Sequence, residues 1–155
     1  MVDKAHIKLE INGSSRELLV DPSQTLAQVL REDLGLTGTK VACNQGVCGT
    51  CTILADGVAV RACLSLAVAM QGRELTTIEG IAQNGQIDRV QRVFNEKGAL
   101  QCGYCTPGMI ISTKALLARN PNPSVDEIRH ELGGNICRCT GYVKIIEAVV
   151  ALRDS

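Results

Sequence analysis

The chain has 155 residues, 45% of them hydrophobic, and its 16 basic and 16 acidic side chains cancel to a formal charge of zero. That length holds one large core or two small ones, and the balanced charge offers neither a basic face for nucleic acid nor an acidic tail for cation buffering. Aromatic residues are only 2% of the total, which argues against a base-stacking platform, and no apolar run approaches the roughly 20 residues that span a bilayer.

The N-terminus, MVDKAHIKLEING, is a strand pattern. It has neither the apolar stretch of a secretion leader nor a twin arginine, so a cytoplasmic protein is expected. In HIKLEIN (residues 6–12) Ile7, Leu9 and Ile11 share one face. Asn12-Gly13 signals a hairpin, and RELLV is its return strand. Ser23 or Thr25 then caps a helix with Leu26, Val29 and Leu30 on its apolar face, and Gly35 stops it.

Next comes CNQGVCGTC, with Cys43, Cys48 and Cys51 spaced C-x4-C-x2-C, and Cys63 follows after eleven residues. This is the plant-type ferredoxin spacing for a 2Fe–2S cluster, with three thiolates from one loop and the fourth from elsewhere. Such a loop must be tight and must turn its N–H groups toward negative sulfurs, and Gly46 and Gly49 supply the backbone freedom. Zinc ribbons favour paired C-x2-C knuckles and fit less well. Thr52 to Leu54 and Val58 to Arg61 flank Asp56-Gly57 as a second hairpin, and Glu74 to Ile78 is a closing strand. The first half is thus a small mixed sheet grasping a helix.

After about residue 80 the periodicity turns helical. Ile87, Val90, Val93 and Phe94 recur at helical spacing up to Gly98. Thr106-Pro107 opens a second helix that stops before Pro121. Ser124 and Glu127 form a capping box for a third, with Ile128 and Leu132 on its apolar face and Gly133-Gly134 at its end. Thr140 caps a fourth, whose face is Tyr142, Ile145, Ile146 and Val149.

Two cysteine pairs, Cys102 with Cys105 and Cys137 with Cys139, fall in the loops before the second and fourth of these helices. The C-x-C pair is too strained to close on itself. Spacing alone leaves this set open between a zinc tetrathiolate and an iron–sulfur site. The positive helix ends beside it favour the more negative cluster. A disulfide framework suits exported chains, and eight independent core thiols would rarely sort into two sets of four. His6 and His130 sit on solvated faces, and neither lies in a cysteine loop, which excludes a Rieske centre. Lys40 is a surface lysine or a charge near the first loop, and Tyr104 packs around the second set or contacts a partner. No nucleophile–base pair or paired carboxylates are present, so no substrate chemistry is expected on this chain.

CNQGVCGTCT, QCGYCTPGMI and GGNICRCTGYVKII resemble the iron–sulfur small subunit of the molybdenum hydroxylases, the family of xanthine dehydrogenase, carbon monoxide dehydrogenase and hydroxybenzoyl-CoA reductase. The likeness spans nearly the whole chain. It implies an α+β fold: a β-grasp, plant-type ferredoxin domain over residues 1–80 and a four-helix-bundle 2Fe–2S domain over residues 81–155. It implies one 2Fe–2S cluster on Cys43, Cys48, Cys51 and Cys63, and a second on Cys102, Cys105, Cys137 and Cys139. It further implies a molybdopterin-binding large subunit and an FAD-binding medium subunit, assembled as a dimer of heterotrimers. The second cluster would lie beside the pterin, where Gln101 and Cys139 match positions that approach it, and the first would face the flavin. Thr50 stands where the family often has alanine. The implied role is single-electron transfer within an oxidoreductase. A free-standing two-cluster ferredoxin and a zinc-stabilised interaction module are the competing readings.

Overall fold

The computed structural model describes residues 3–82 and 85–153. Met1 and Val2, where the N-terminal strand pattern begins, and Asp154 and Ser155, where the helical segment ends, lie outside that range. β1 (Ala5–Ile11) and β2 (Ser14–Val20) pair antiparallel, from Ala5 opposite Val20 to Ile11 opposite Ser14. Asn12 and Gly13 turn the chain at φ 52° and 74°, the left-handed pair that a type I′ hairpin needs. The alternation of β1 buries Ile7, Leu9 and Ile11.

Thr25, not Ser23, caps the first helix. Its hydroxyl accepts from Gln28 N while the Gln28 side chain accepts from Thr25 N at 2.9 Å, whereas Ser23 is held in a turn by Asp21. α1 (Leu26–Gln28) is short and widens at once into a π turn (Val29–Asp33), closed by Leu34 N donating to Val29 O at 3.0 Å. The wider turn keeps Leu26, Val29 and Leu30 all inside. β3 (Thr52–Ala55) and β4 (Val58–Arg61) form the second hairpin, around Asp56 and Gly57. β5 (Glu74–Thr76) lies parallel to β1 and antiparallel to β3, giving the order β2-β1-β5-β3-β4. This strand ends earlier than the expected Ile78. Thr77 N leaves the ladder to donate to the Asn12 side chain at 2.9 Å, and Ile78–Gly80 curls into a 3-10 turn.

The helical half holds α2 (Arg89–Glu96), α3 (Thr106–Arg119), α4 (Val125–Leu132) and α5 (Val143–Arg153). The Ser124–Glu127 capping box of α4 is formed as expected. Three details differ from expectation. Asp88 caps α2, which leaves Ile87 outside the helix and 61% exposed instead of on its apolar face. Thr106 is the first residue of α3 and not its cap; Cys105 occupies the capping position. Tyr142 precedes α5 at φ 69°, and Thr140 bonds outside that helix. The Asp88 carboxylate also pairs with Lys114 at 2.7 Å and ties the start of α2 to α3.

Two hydrophobic clusters result. One fills the space between sheet and α1, built on Ile7, Leu9, Leu26, Leu30, Ile53 and Leu75. The other lies among the four helices, around Phe94, Met109, Ile111, Ile128 and Ile145. α3 packs across β3 and joins the halves. It approaches so closely that a Cβ on Gly108 would run into Gly49 O. Asn135, 2% exposed, bridges this seam. It donates through Nδ2 to Gly49 O at 3.0 Å and accepts from the Ser112 hydroxyl at 2.9 Å. Beside it Arg61 donates to Thr52 Oγ1 and to Gly134 O, both at 2.6 Å.

Asn135→Ala strands the Ser112 hydroxyl and removes a donor from Gly49 O inside the protein. We expect a loss of about 1–3 kcal/mol of unfolding free energy, measured by urea titration. Asn135→Asp should not rescue it, because the ionised carboxylate cannot donate to Gly49 O. An unchanged midpoint in both variants would show that the seam contributes nothing to stability.

Candidate metal centres

All eight cysteines are free thiols, and the fold brings them together in the same two sets that their spacing suggested. Cys43, Cys48 and Cys51 lie in the loop before β3, and Cys63 follows β4. The β3–β4 hairpin carries Cys63 back beside Cys51, 5% and 2% exposed respectively. Asn44, Gly46 and Gly49 take left-handed conformations, φ 52°, 77° and 72°. They wrap the loop so that amides face a sulfur: Cys43 Sγ accepts from Cys48 N at 3.3 Å and from Gln45 N at 3.4 Å. Those amides, Cys48 N–H foremost, lower the pKa of the Cys43 thiol to about 6. Burial does the opposite to Cys51, pushed up to about 11. The Thr50 hydroxyl lies 3.2 Å from Cys48 Sγ, so the residue that departs from the family's common alanine contacts a thiol. Lys40, by contrast, donates to Thr37 O and stays on the surface.

The second set comes from the α2–α3 and α4–α5 connections. Cys102 Sγ and Cys139 Sγ are 3.5 Å apart and exposed at a mouth, while Cys137 is buried and Cys105 half-buried behind them. The four thiols, with Cys48 of the first loop, line one cavity of 220 Å³. Burial drives the Cys105 thiol up to about 12, reinforced by the neighbouring Cys137 and Cys102. Burial opposes ionisation of Cys137 too. There the Thr140 hydroxyl at 3.0 Å and Thr140 N at 3.4 Å outweigh it, so its pKa falls. Cys102 is lowered by the N–H of Tyr104, and Cys139 is raised by the Cys102 thiol. Gln101 is exposed beside Cys102. His6 faces Glu17 on the sheet surface, and His130 is exposed; neither approaches a thiol set.

Several contacts that hold these loops were not anticipated from the sequence. The Tyr142 hydroxyl accepts from Cys137 N at 2.9 Å and donates to Asn135 O at 3.1 Å. Ile136 N donates to Cys48 O at 2.8 Å, which links the two cysteine loops directly. The Tyr104 hydroxyl reaches across to Val41 O at 2.7 Å. The flanking GGN and TGY of the last cysteine segment were the available signal, since small and polar residues around thiols serve backbone geometry rather than packing.

The chemistry of the donors fits iron–sulfur ligation. Each set offers four sulfurs, with N–H or O–H donors aimed at them. Comparison with known proteins agrees. Residues 9–76 match the family described as 2Fe-2S iron-sulfur cluster binding domain, and residues 77–150 match the family described as [2Fe-2S] binding domain. The nicotinate dehydrogenase small FeS subunit of Eubacterium barkeri is 46% identical over 148 residues, 96% of this chain and 94% of that protein. The xanthine dehydrogenase iron-sulfur-binding subunit of Escherichia coli O157:H7 is 44% identical, over 93% of this chain and 91% of its own length. Among solved structures, a chain of quinoline 2-oxidoreductase from Pseudomonas putida 86 superposes with a TM-score of 0.94 at 47% identity, covering 98% of this chain and 95% of that one.

A mixed sheet, a helical half and two thiol-rich sites define an iron–sulfur electron-transfer protein with two 2Fe–2S clusters. The chain belongs to the iron–sulfur small subunits of the molybdenum hydroxylases and serves an oxidoreductase complex by electron transfer. The free-standing carrier is the less favoured reading. No helix among the described residues is long and apolar enough to cross a membrane.

The thiol pKa values give a reactivity order for the folded chain stripped of metal. At pH 7 Cys43 is largely thiolate, and it should be alkylated by iodoacetamide well before Cys51 or Cys105, whose raised pKa values keep them protonated. The Cys43 advantage should fade as pH drops below about 6, where that thiolate takes up its proton. Peptide mapping by mass spectrometry checks this; uniform labelling at pH 7 would contradict it.

Proposed function

We propose that this chain passes electrons singly between a molybdopterin-binding large subunit and an FAD-binding medium subunit in a cytoplasmic dimer of heterotrimers. The observation that carries the proposal is the four-plus-four convergence of the thiols, joined through the Ile136 N to Cys48 O bond. The division we propose is a β-grasp ferredoxin domain over residues 1–80 and a four-helix-bundle domain over residues 81–155; two hydrophobic clusters support it, although Leu54 and Ile78 of the first half pack against the second. Cys43, Cys48, Cys51 and Cys63 would hold one 2Fe–2S cluster, and Cys102, Cys105, Cys137 and Cys139 the other. When bound, each cluster takes up and releases one electron at a time.

The protein's own part is geometry and electrostatics. Amides at Cys43 and the Thr140 donors at Cys137 stabilise negative sulfur. The exposed pair Cys102 and Cys139, with Gln101 beside them, forms the face for the pterin side. The first loop, with Val47 63% exposed, forms the face for the flavin side. The three named relatives are, by their names, enzymes of nitrogen heterocycles, so that substrate class is the one proposed for the assembly. Its choice would rest on the large subunit.

Metal and sulfide analysis of the purified chain tests the ligand assignment. We expect about four iron and four sulfide per chain; stoichiometric zinc in place of the second iron pair would sink it. A second test concerns Gln101. Gln101→Ala should slow cluster reduction by substrate in the assembled enzyme while all eight thiols still hold their metal. The lost amide would leave polar groups at that face unpaired, at roughly 1–3 kcal/mol. Wild-type reduction rates combined with a lowered melting temperature would instead make Gln101 a turn residue only.

A further inference from the structure

Thr50 lies in the first cysteine loop, between Gly49 and Cys51, and is only 5% exposed. Its hydroxyl is 3.2 Å from Cys48 Sγ and has no other hydrogen-bond partner among the described residues. The surroundings hold it there. Gly49 takes φ 72°, and its carbonyl accepts from Asn135 Nδ2 at 3.0 Å. On the other side α3 crosses so closely that a Cβ on Gly108 would come within 3.3 Å of Thr50 Cα. Branching at its own Cβ restricts χ1 further. A buried hydroxyl is costly to leave unpaired, so the contact with sulfur is the one available to it.

Between a free thiol and a hydroxyl, either atom can donate. A cysteine that binds metal has lost its proton and can only accept. Ligation therefore fixes the direction: the Thr50 O–H donates and the Cys48 sulfur accepts. Cys48 also has a particular place among the first four thiols. It lines the cavity of the second set, with Thr50 beside it, and Cys43, Cys51 and Cys63 do not. Its carbonyl accepts from Ile136 N, next to Cys137. Cys137 has a matching contact, with the Thr140 hydroxyl 3.0 Å from its sulfur. Each set thus has a threonine hydroxyl on the thiol nearest this link.

We propose that the Thr50 hydroxyl raises the reduction potential of the first iron–sulfur site by donating to Cys48 Sγ. This rests on the ligand assignment proposed above. Reduction adds one electron, supplied by the complex's own transfer chain, and so one negative charge. The hydroxyl keeps its proton, and no bond is made or broken. Cluster potentials follow hydrogen bonds to the sulfurs, and a donor favours the more negative, reduced form. Burial strengthens the effect, because a hydrogen bond inside the protein is less weakened by the surrounding dielectric than one in water. The hydroxyl acts on the side of the first set that faces the second, where a more negative sulfur gains most from a fixed donor. Thr50 acts through Cys48 and is a positioning residue, not a ligand.

The test is an EPR-monitored redox titration of the assembled enzyme carrying Thr50→Val, Thr50→Ala or Thr50→Ser, with the second cluster as internal reference. Val keeps the shape and loses the hydroxyl; Ser keeps the hydroxyl and loses the methyl. At the wild-type midpoint, the reduced-to-oxidised ratio of the first cluster should fall by about two- to tenfold in the Val and Ala variants, the range of one net hydrogen bond, tenfold being 59 mV for one electron. The Ser variant should stay near the wild-type midpoint, and the second cluster should not move. Resonance Raman gives a readout that packing alone would not reproduce. The iron–cysteine stretch of the first cluster should rise in frequency without the hydroxyl and return with Ser, because a donor on sulfur weakens that bond. An unmoved first midpoint in the Val and Ala variants would overturn the proposal. So would a Ser variant that follows Val, or a shift at the second cluster in place of the first. Loss of the first cluster in all three variants would also overturn it, because Thr50 would then be structural. Failure of the ligand assignment is separable: it shows as missing iron and sulfide in the wild-type chain.

Discussion

The hydrogen bond from Asn135 to Gly49 O is the joint on which the arrangement depends. Gly49 lies between Cys48 and Cys51, and Asn135 is two residues from Cys137. One side chain therefore connects the loop of each thiol set. The contact works only because the backbones come very close: Gly108 and Gly49 have no Cβ, and Gly134 O is held by Arg61. Amides and carbonyls buried at such a seam need partners, and Asn135, Ser112, Thr52 and Arg61 provide them. The seam also explains how two halves with separate apolar clusters behave as one body around the thiols.

Around that joint, the electrostatic problem is to hold eight sulfurs that become negative on ligation. Polar donors meet it where the sulfur is near water, as at Cys43, and hydroxyl and amide donors of one residue meet it at Cys137. Cys51 and Cys105 have burial instead, which disfavours the free thiolate. Without metal those positions stay protonated. Ligation must remove their protons, so folding, metal binding and pH are linked at these sites. Each set has buried members, Cys51 and Cys63 in one and Cys137 in the other, and the exposed Cys102 and Cys139 leave an accessible edge at the second.

Much of this was legible in the sequence, for reasons that differ by residue. Asn12-Gly13 and Asp56-Gly57 announce their hairpins because few residues tolerate the required positive φ. The Ser124–Glu127 box marks α4 because its hydrogen bonds are local. The first cysteine loop stood out because its spacing is that of plant-type ferredoxins, whereas spacing left the second set open between zinc and iron–sulfur. The π turn at Val29–Asp33 was not legible: nothing in the local pattern records the wider turn that Leu34 N closes on Val29 O. Asn135 and Tyr142 were missed for a related reason, since their partners lie across the loops or 86 residues away and local periodicity carries no trace of them.

The proposed ligand sets put two one-electron centres in loops that the Ile136 N to Cys48 O bond joins. EPR of the fully reduced protein tests it most directly. The account predicts two distinct spin-half signals of about one electron each per chain, mutually broadened when both centres are reduced and sharp when only one is. A single signal, or two signals with no mutual broadening, would contradict it.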